Sequence, residues 1–497
     1  MRVVDAALAA GIIAFLAPWP GRAEPPAPAA ETRLCTPEDV GSDLDAMYRR
    51  LQLDAFDLNA FTPKPDLDRT YQQLRAGLAA SDRPMSRFEV QTQLQLLAAA
   101  AHQGHARVDG ASAAWADYRK GGGRAFPLSV RIVDGRVYVA RNLSGIARIR
   151  PGDEILTING APASQWLERT RRHVSAETPA LADSILDYDF PIYLWVEAGP
   201  QTAFQVSVKP SDAAAFELQL PAQTAGEMAA NEAGQPAALD LDHPMRDARI
   251  LANGVGYLRP GPFYNEEAKT GADEWDVTAF RKFIDTSFRM FNAHGVHKLI
   301  IDLRGNPGGD SLFSDVMVSW FADRPYQFFS SFKVRVSSDA VAANRDRIEH
   351  DAAAAGPISQ RFAALYAGAE PGSVVEFTLP ASAPNPTERF HGKVFALIDR
   401  QSYSNTVAVA ATIQDYHFGL VIGEPTADMA TAYGAMEQFT LPATGIVVGF
   451  PKARIVRPNG DPRSRGVTPD IAIPFPVVET SKDEVLQRAS AIAAGRD

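Results

Sequence analysis

The sequence is poor in cysteine, with a single one, Cys35, among 497 residues. One thiol cannot form a disulfide within the chain, and it argues against a thiol catalyst or a cysteine-based zinc site. Histidine is scarce as well, nine in all, and no HExxH motif places two of them one helical turn apart. We therefore expect neither a metal nor another cofactor.

Positive charge is also in short supply. The chain has 49 Lys and Arg against 59 Asp and Glu, a net charge of -10, and a pI near 5.5. Because nucleic-acid-binding proteins usually present a basic face, we expect no nucleic acid as a partner. The hydrophobic share of 46% and the charged share of 22% are those of an ordinary globular protein. The length allows two or three domains.

Long apolar runs are missing except near the N-terminus, where the run is too short to span a membrane comfortably. Arg2 is followed by AALAAGIIAFLAPWP, and GRA precedes EPPAPAAE. Gly21 and Ala23 are small residues at the -3 and -1 positions of a cleavage site, so residues 1–23 are typical of a secretory signal peptide. Asp5 weakens the basic n-region, which leaves an uncleaved anchor as the alternative. We expect an exported protein, periplasmic or extracellular, with no stable membrane span after cleavage.

The rest of the chain divides into segments that differ in composition and residue pattern. Ser86 and Glu89 form a capping box before a predicted helix that we expect to stop at Gly104. We expect a helical region, a β-rich domain, a linker, a mixed α/β core and a C-terminal tail, at residues 24–125, 126–215, 216–244, 245–480 and 481–497 respectively.

The β-rich segment contains GIARIRPGDEILTINGAPASQWL. Pro151-Gly152 predicts a turn, Asp153-Glu154 begins a strand, and Asn159-Gly160 is a hairpin turn signal. The arrangement resembles a PDZ domain, which binds an extended peptide by adding it as a strand to a sheet edge. Another small β-rich domain is the alternative.

Two motifs in the α/β segment each place polar or glycine residues directly after an apolar strand. In FALIDRQSYSNTVAVAATIQD (395–415), Ser404 lies in the turn before a helix, where a hydroxyl is either an N-cap or a nucleophile beside free N–H groups. In LIIDLRGNPGGDS (299–311), Gly308-Gly309 allow positive φ and close approach of a bound backbone. No GK[ST] follows, so this turn is not a P-loop.

These motifs, followed by GLVIGEPT and RGVTPDIAI and preceded by a PDZ-like segment, resemble the carboxyl-terminal processing peptidases, or tail-specific proteases. The wider family includes the tricorn core peptidase. VGYLRPGPF is similar to the family's opening strand, and AAAAHQGHARV to its histidine-containing segment. The resemblance covers most of residues 40–475. It implies a mixed α/β (α+β) serine peptidase core with an N-terminal helical region, an inserted PDZ-like domain, and protein or peptide substrates.

The resemblance also implies roles for individual residues. Ser404 would be the nucleophile, with Ser402 as the alternative hydroxyl. The N–H group of Asn405 would form one half of the oxyanion hole, and Gly308 or Gly309 would supply the other.

The base requires a separate argument. The Ser–Lys branch of the family carries its lysine in a GExTxGKG block, and here GEPTADMATAYG has Met429 at that position. A methionine cannot accept a proton, and the next lysine is Lys452. His105 lies where histidine-dependent relatives carry their base, and a neutral imidazole suits general base work at neutral pH. His102 is the alternative.

Relatives with a triad place an acid close before the GVxPD block, and RPNGDPRSRGVTPD contains Asp461 there. Glu424 in GEPT is the alternative, and Asp470 is expected to be structural. Met429 also favours a second class of function, a non-catalytic relative that binds peptides or apolar ligands. Ser404 and His105 favour the peptidase.

Overall fold

The computed structural model describes residues 34–233, 245–268, 276–350, 357–477 and 482–496. The predicted signal peptide and the second part of the predicted linker lie outside the described residues. Within them, no helix combines the length and apolar character needed to cross a membrane.

The described residues form helices and strands in all segments of the chain. The helices α1 to α13 are Pro37–Asp54, Lys64–Ala79, Arg87–Ala100, Ala111–Lys120, Ala163–Arg171, Pro179–Ala198, Ala225–Glu232, Thr278–Ala293, Ser311–Val318, Ser338–His350, Pro357–Ala367, Asn405–Asp415 and Glu484–Ala494. The strands β1 to β16 are Leu128–Val133, Arg136–Asn142, Glu154–Ile158, Ala161–Pro162, Ala203–Lys209, Phe216–Pro221, Asp247–Ile250, Gly256–Arg259, Lys298–Asp302, Ser331–Arg335, Val374–Glu376, Lys393–Ile398, Gly419–Gly423, Ala432–Thr440, Val447–Val456 and Ile471–Ala472.

These strands form three sheets. The central sheet has the order β16-β13-β12-β9-β8-β7 and is parallel except at the β7 edge. A second, antiparallel sheet has the order β11-β10-β15-β14. The β-rich domain contains the third sheet, β1-β2-β3-β5-β6, with β4 paired to β3. The architecture is the mixed α/β fold that the sequence predicted.

The central sheet sets the position of the two motifs. Both β9 and β12 are almost entirely buried, as expected for parallel strands covered on both faces. They pair in parallel, with Asp302 opposite Leu397, so the glycine turn after β9 and the serine turn after β12 leave the same edge of the sheet. The helix predicted to follow Ser404 is confirmed, and it runs over Asn405–Asp415.

The N-terminal helices share a hydrophobic core with the second sheet and do not fold apart from it. Leu44, Leu94 and Phe450 belong to one buried cluster. The predicted capping box is confirmed, since Ser86 N donates to Glu89 Oε2 at 2.8 Å.

The predicted stop of the third helix at Gly104 is wrong. The helix α3 ends at Ala100, and His102 adopts a φ of +50°. A left-handed residue ends a helix in the way a glycine would, and histidine is a less common choice there. Gly104, the next glycine along the chain, is the more typical residue for this position.

The predicted linker at 216–244 is also wrong in its described part. Phe216, Leu218 and Leu220 alternate with polar residues, and this period-2 pattern forms β6, which pairs with β5. The helix α7 follows at Ala225–Glu232. The high Ala, Gln and Gly content of this segment is typical of a linker, and for this reason neither β6 nor α7 was predicted.

The predicted C-terminal tail contains the packed helix α13. Its apolar residues Val485, Leu486 and Ala489 belong to the same buried cluster as Ile300 of the central sheet. Their helical spacing is a sequence signal for a packed helix in place of a tail.

Candidate active site

Ser404 lies at the start of α12 in a strained conformation, with a φ of +52° and a ψ of -123°. Its side chain makes no capping hydrogen bond to the helix, so the N-cap alternative does not describe it. Its N–H donates to Asp428 Oδ2 at 2.5 Å, and its carbonyl accepts from Val407 N at 2.9 Å. The main chain is thus fixed, while the hydroxyl has no hydrogen-bond partner among the described residues.

Ser402, the alternative hydroxyl, is fully buried. Its Oγ donates to the carbonyl of Leu303 at 2.9 Å and accepts from Asp399 N at 3.1 Å. These bonds tie the serine turn to the end of β9. This is a structural role, and it leaves Ser404 as the available hydroxyl.

The glycine turn lies directly against Ser404. At Gly308, with a φ of +92°, a Cβ would come within 2.9 Å of both Asn405 N and Ser404 Cβ. Only glycine allows this approach. Tyr403 N donates to the carbonyl of Asn306 at 3.0 Å, which joins the two turns through their main chains.

Two backbone N–H groups in these turns are left without an acceptor in the described part of the chain. One belongs to Asn405, which as the first helical residue has no intrahelical partner, and the other belongs to Gly309. Gly308 N instead donates to Asn306 Oδ1 at 3.0 Å. Of the two glycines that the sequence left open, Gly309 therefore has the N–H available for an oxyanion.

His105 lies in the loop between α3 and α4. Its ring stacks on Tyr403, with 6.5 Å between the ring centroids and 19° between the planes. A Cβ at Gly434 of β14 would lie 3.8 Å from His105 Nε2. The structure thus places His105 beside the neighbour of Ser404, although no hydrogen bond joins its ring to the Ser404 hydroxyl.

The surroundings of His105 keep its imidazole neutral. Burial lowers its pKa to about 4, the positive charge of Arg107 lowers it as well, and the main chain of Tyr433 acts in the opposite direction. Its Nδ1 is buried without a hydrogen-bond partner in the described residues. A neutral imidazole can accept a proton, but the pKa of His105 lies below the value of about 6.5 for an unperturbed histidine.

The other candidate bases are engaged elsewhere. His102 Nδ1 lies 2.7 Å from Thr62 Oγ1. Lys452 is buried, and its Nζ donates to Glu437 Oε1 at 2.6 Å. Met429 is buried, as an apolar side chain should be.

None of the predicted acids makes a hydrogen bond to His105. The carboxylate of Asp461 accepts from Arg463 Nε at 2.9 Å and from Arg465 Nη2 at 2.8 Å. Glu424 Oε1 accepts from the N–H of Arg400 at 3.1 Å. Asp470 accepts from Val421 N at 2.8 Å, which is a structural role.

Comparison with known protein families gives a match over the α/β core. The profile of Peptidase family S41 matches residues 255–473, which include both turns. The chain belongs to peptidase family S41. It is therefore a serine-type peptidase. A second profile, described as Bacteroidetes, Peptidase, S41 family, N-terminal domain, matches residues 135–184 of the β-rich domain.

Solved structures share the fold. Mature CPAF complexed with lactacystin superposes with a TM-score of 0.64 at 17% identity, covering 93% of this chain and 99% of that one. Mature CPAF gives a TM-score of 0.62 at 18% identity, covering 89% of this chain and 93% of that one. At these identities the likeness establishes the fold.

Sequence reasoning missed two buried carboxyl groups at the S41 site. Asp428 accepts from the N–H groups of Ser404 and Met429, the latter at 2.8 Å, and burial raises its pKa to about 6. Glu177 accepts from Gly104 N at 2.9 Å, and burial, with a smaller effect from Asp428, raises its pKa to about 8.

A sequence signal existed for only one of the two carboxyl groups. Asp428 immediately precedes Met429 in the block where the lysine was sought. Glu177 comes from the β-rich domain, outside the matched S41 core, and no local pattern marks it.

Proposed function

We propose that this S41 peptidase is exported and hydrolyses peptide bonds of protein substrates, with Ser404 as nucleophile and His105 as general base. One observation carries the proposal. The Ser404 hydroxyl has no partner in the described structure, and it belongs to the pair of turns that leaves two backbone N–H groups free. The neighbouring residue, Tyr403, stacks on the neutral imidazole of His105.

The reaction would proceed by acyl transfer. Ser404 Oγ attacks the scissile carbonyl while His105 takes the hydroxyl proton, and the N–H groups of Asn405 and Gly309 stabilise the oxyanion. The imidazolium then protonates the leaving amine, and the C–N bond breaks to leave an acyl-enzyme. A water molecule, deprotonated by His105, hydrolyses the ester and restores Ser404.

Two contacts of this mechanism require substrate or a rearrangement. No hydrogen bond joins Ser404 to His105 in the structure. Catalytic hydrogen bonds of this kind often tighten only in the substrate complex. Asp461 orients the imidazole in this proposal only if its carboxylate leaves Arg463 and Arg465.

The proposal also assigns a role to the β-rich domain and a compartment to the protein. We propose that the domain, like a PDZ domain, binds an extended peptide along a sheet edge, where main-chain hydrogen bonds are available. Export with cleavage after Ala23 gives a mature chain that begins at Glu24. N-terminal sequencing of the mature protein checks this, and a soluble cytoplasmic chain that starts at Met1 would contradict it.

The competing function is a non-catalytic binder of peptides. Met429 favours it, because the lysine of the Ser–Lys branch is absent. A fluorophosphonate probe separates the two functions, since it labels only an activated hydroxyl. The peptidase requires labelling at Ser404 together with cleavage of a denatured protein, whereas no labelling at any pH would support the binder.

A further inference from the structure

The loop that carries His105 is held on both sides by one segment of the β-rich domain, residues 173–177. On one side, Ser175 Oγ donates to the carbonyl of Ala106 at 2.5 Å. On the other, Glu177 Oε1 accepts the N–H of Gly104 at 2.9 Å. The main chain is therefore fixed immediately before and immediately after His105.

Gln95 of α3 joins the same unit. Its Nε2 donates to the carbonyl of His173 at 2.8 Å and to Ser175 Oγ at 3.1 Å, and its Oε1 accepts from Val108 N at 2.7 Å. One amide thus connects the α3 helix, the base loop and the 173–177 segment. The position of His105 thus depends on contacts with α3 and with a segment of the β-rich domain that is distant in sequence.

Glu177 lies between the loop that carries His105 and the turn that carries Ser404. A Cβ at Gly104 would lie 3.3 Å from Glu177 Oε2 and 3.3 Å from the Tyr403 hydroxyl, so both groups converge on the glycine. The Glu177 Oε2 atom is buried and makes no hydrogen bond in the described structure. Asp428, which holds the N–H of Ser404, is close enough to affect Glu177 electrostatically.

A carboxyl group in this place needs an explanation. Burying an acid without a cationic partner is unfavourable, and a leucine would fill the volume without that cost. What leucine cannot do is accept the N–H of Gly104. The contact that distinguishes Glu177 from an apolar residue is therefore the one that fixes the base loop.

We propose that Glu177 is a positioning residue for the general base. Through its bond to Gly104, and together with Ser175, it holds His105 against Tyr403, so the β-rich domain sets the alignment of the base with Ser404. This inference rests on the proposed function, in which His105 is the base.

The test compares Glu177→Leu with Glu177→Gln in the full-length protein. Leucine removes the acceptor for Gly104 N–H, and we expect kcat for a short peptide to fall by about 10- to 100-fold with little change in KM, as for a misaligned catalytic group. Glutamine keeps an acceptor oxygen, so it should retain kcat within about threefold of the wild type. Ser175→Ala should give a smaller loss in the same direction and serves if Glu177→Leu does not fold.

Asp212→Asn is the matched control, because Asp212 is an exposed acid of the same domain, paired with Arg150. It should leave kcat unchanged. Equal kcat in the wild type, Glu177→Leu and Ser175→Ala would overturn the positioning role while leaving the peptidase intact. A folded wild-type protein that neither cleaves peptides nor reacts with a fluorophosphonate would overturn the proposed function, and this inference with it.

Discussion

The serine half and the histidine half of the site are built differently. Ser404 and the Gly308-Gly309 turn both lie in the S41 core, after two neighbouring parallel strands, and a main-chain hydrogen bond joins the turns. His105 lies outside that core, in a loop fixed by contacts from α3 and from the β-rich domain.

This difference separates what is preorganised from what depends on assembly. Strand order in a single sheet positions the nucleophile and the oxyanion donors. The base is positioned by side chains from separate segments, and its Nδ1 has no partner in the described residues. Loss of the Glu177 and Ser175 contacts should therefore alter the action of the base and leave the main-chain bond between the two turns in place.

The largest effect should come from the serine half. Ser404→Ala removes the nucleophile, and we expect turnover of a peptide substrate to fall by about four orders of magnitude or more, with the fold unchanged by circular dichroism. Ser402→Ala is the control. It removes the buried hydrogen bonds of the Ser402 hydroxyl with Leu303 and Asp399, so it should lower the midpoint of thermal unfolding while keeping kcat within about tenfold. Normal turnover in Ser404→Ala would show that another residue is the nucleophile.

The second largest loss of turnover should come from the histidine half. His105→Ala should lower kcat by about a thousandfold or more, because nucleophile and base act as one unit. His102→Ala, which removes the contact with Thr62, should cost far less. Near-normal turnover in His105→Ala would show that the base lies elsewhere.

The pH dependence of activity also tests the role of His105 as the base. The base acts in its neutral form, and the pKa of His105 is lowered to about 4. Activity limited by this group should therefore persist above about pH 4 and fall below it, instead of falling below pH 6 to 7. Measurement of kcat/KM between pH 3 and 8 checks this, and a loss centred near pH 6.5 would mean that the imidazole is solvated in the active form.

The glycine turn should show an intermediate effect. Gly308→Ala places a methyl group within 2.9 Å of Asn405 N, so it should displace the oxyanion donors and lower kcat by about a hundredfold. Gly305→Ala is the matched control. Its φ is also positive, at +60°, but the nearest atom is 3.9 Å away, so it should cost stability alone. Equal losses of kcat in Gly308→Ala and Gly305→Ala would show that backbone strain causes the effect.

Asp461 should show the smallest effect. Its carboxylate is bound by Arg463 and Arg465, so Asp461→Asn should lower kcat by less than about tenfold. A loss comparable with that of His105→Ala would show that Asp461 leaves its arginines to orient the imidazole during catalysis.

Sequence predicted the serine half better than the histidine half for a physical reason. The strand, turn and helix around Ser404 are contiguous, and the parallel-strand rule alone brings the glycine turn to the same edge. Ser404 is held by Asp428, which follows at a distance of 24 residues, and this was still missed.

The contacts around His105 connect residues that no short pattern relates. Glu177 reaches Gly104 across 73 positions, and Gln95 binds the carbonyl of His173 across 78. The same limit explains the predicted helix stop at Gly104, because the left-handed conformation of His102 is stabilised by tertiary contacts, including the one with Thr62.

The rate at which a fluorophosphonate labels Ser404, measured in the wild type and in His105→Ala with the modified peptide mapped, tests the central claim most directly. We expect labelling at Ser404 in the wild type and a rate at least about a hundredfold lower in His105→Ala, since the hydroxyl needs its base. Equal labelling rates in the two proteins, or a label on another residue, would contradict the pairing of Ser404 with His105.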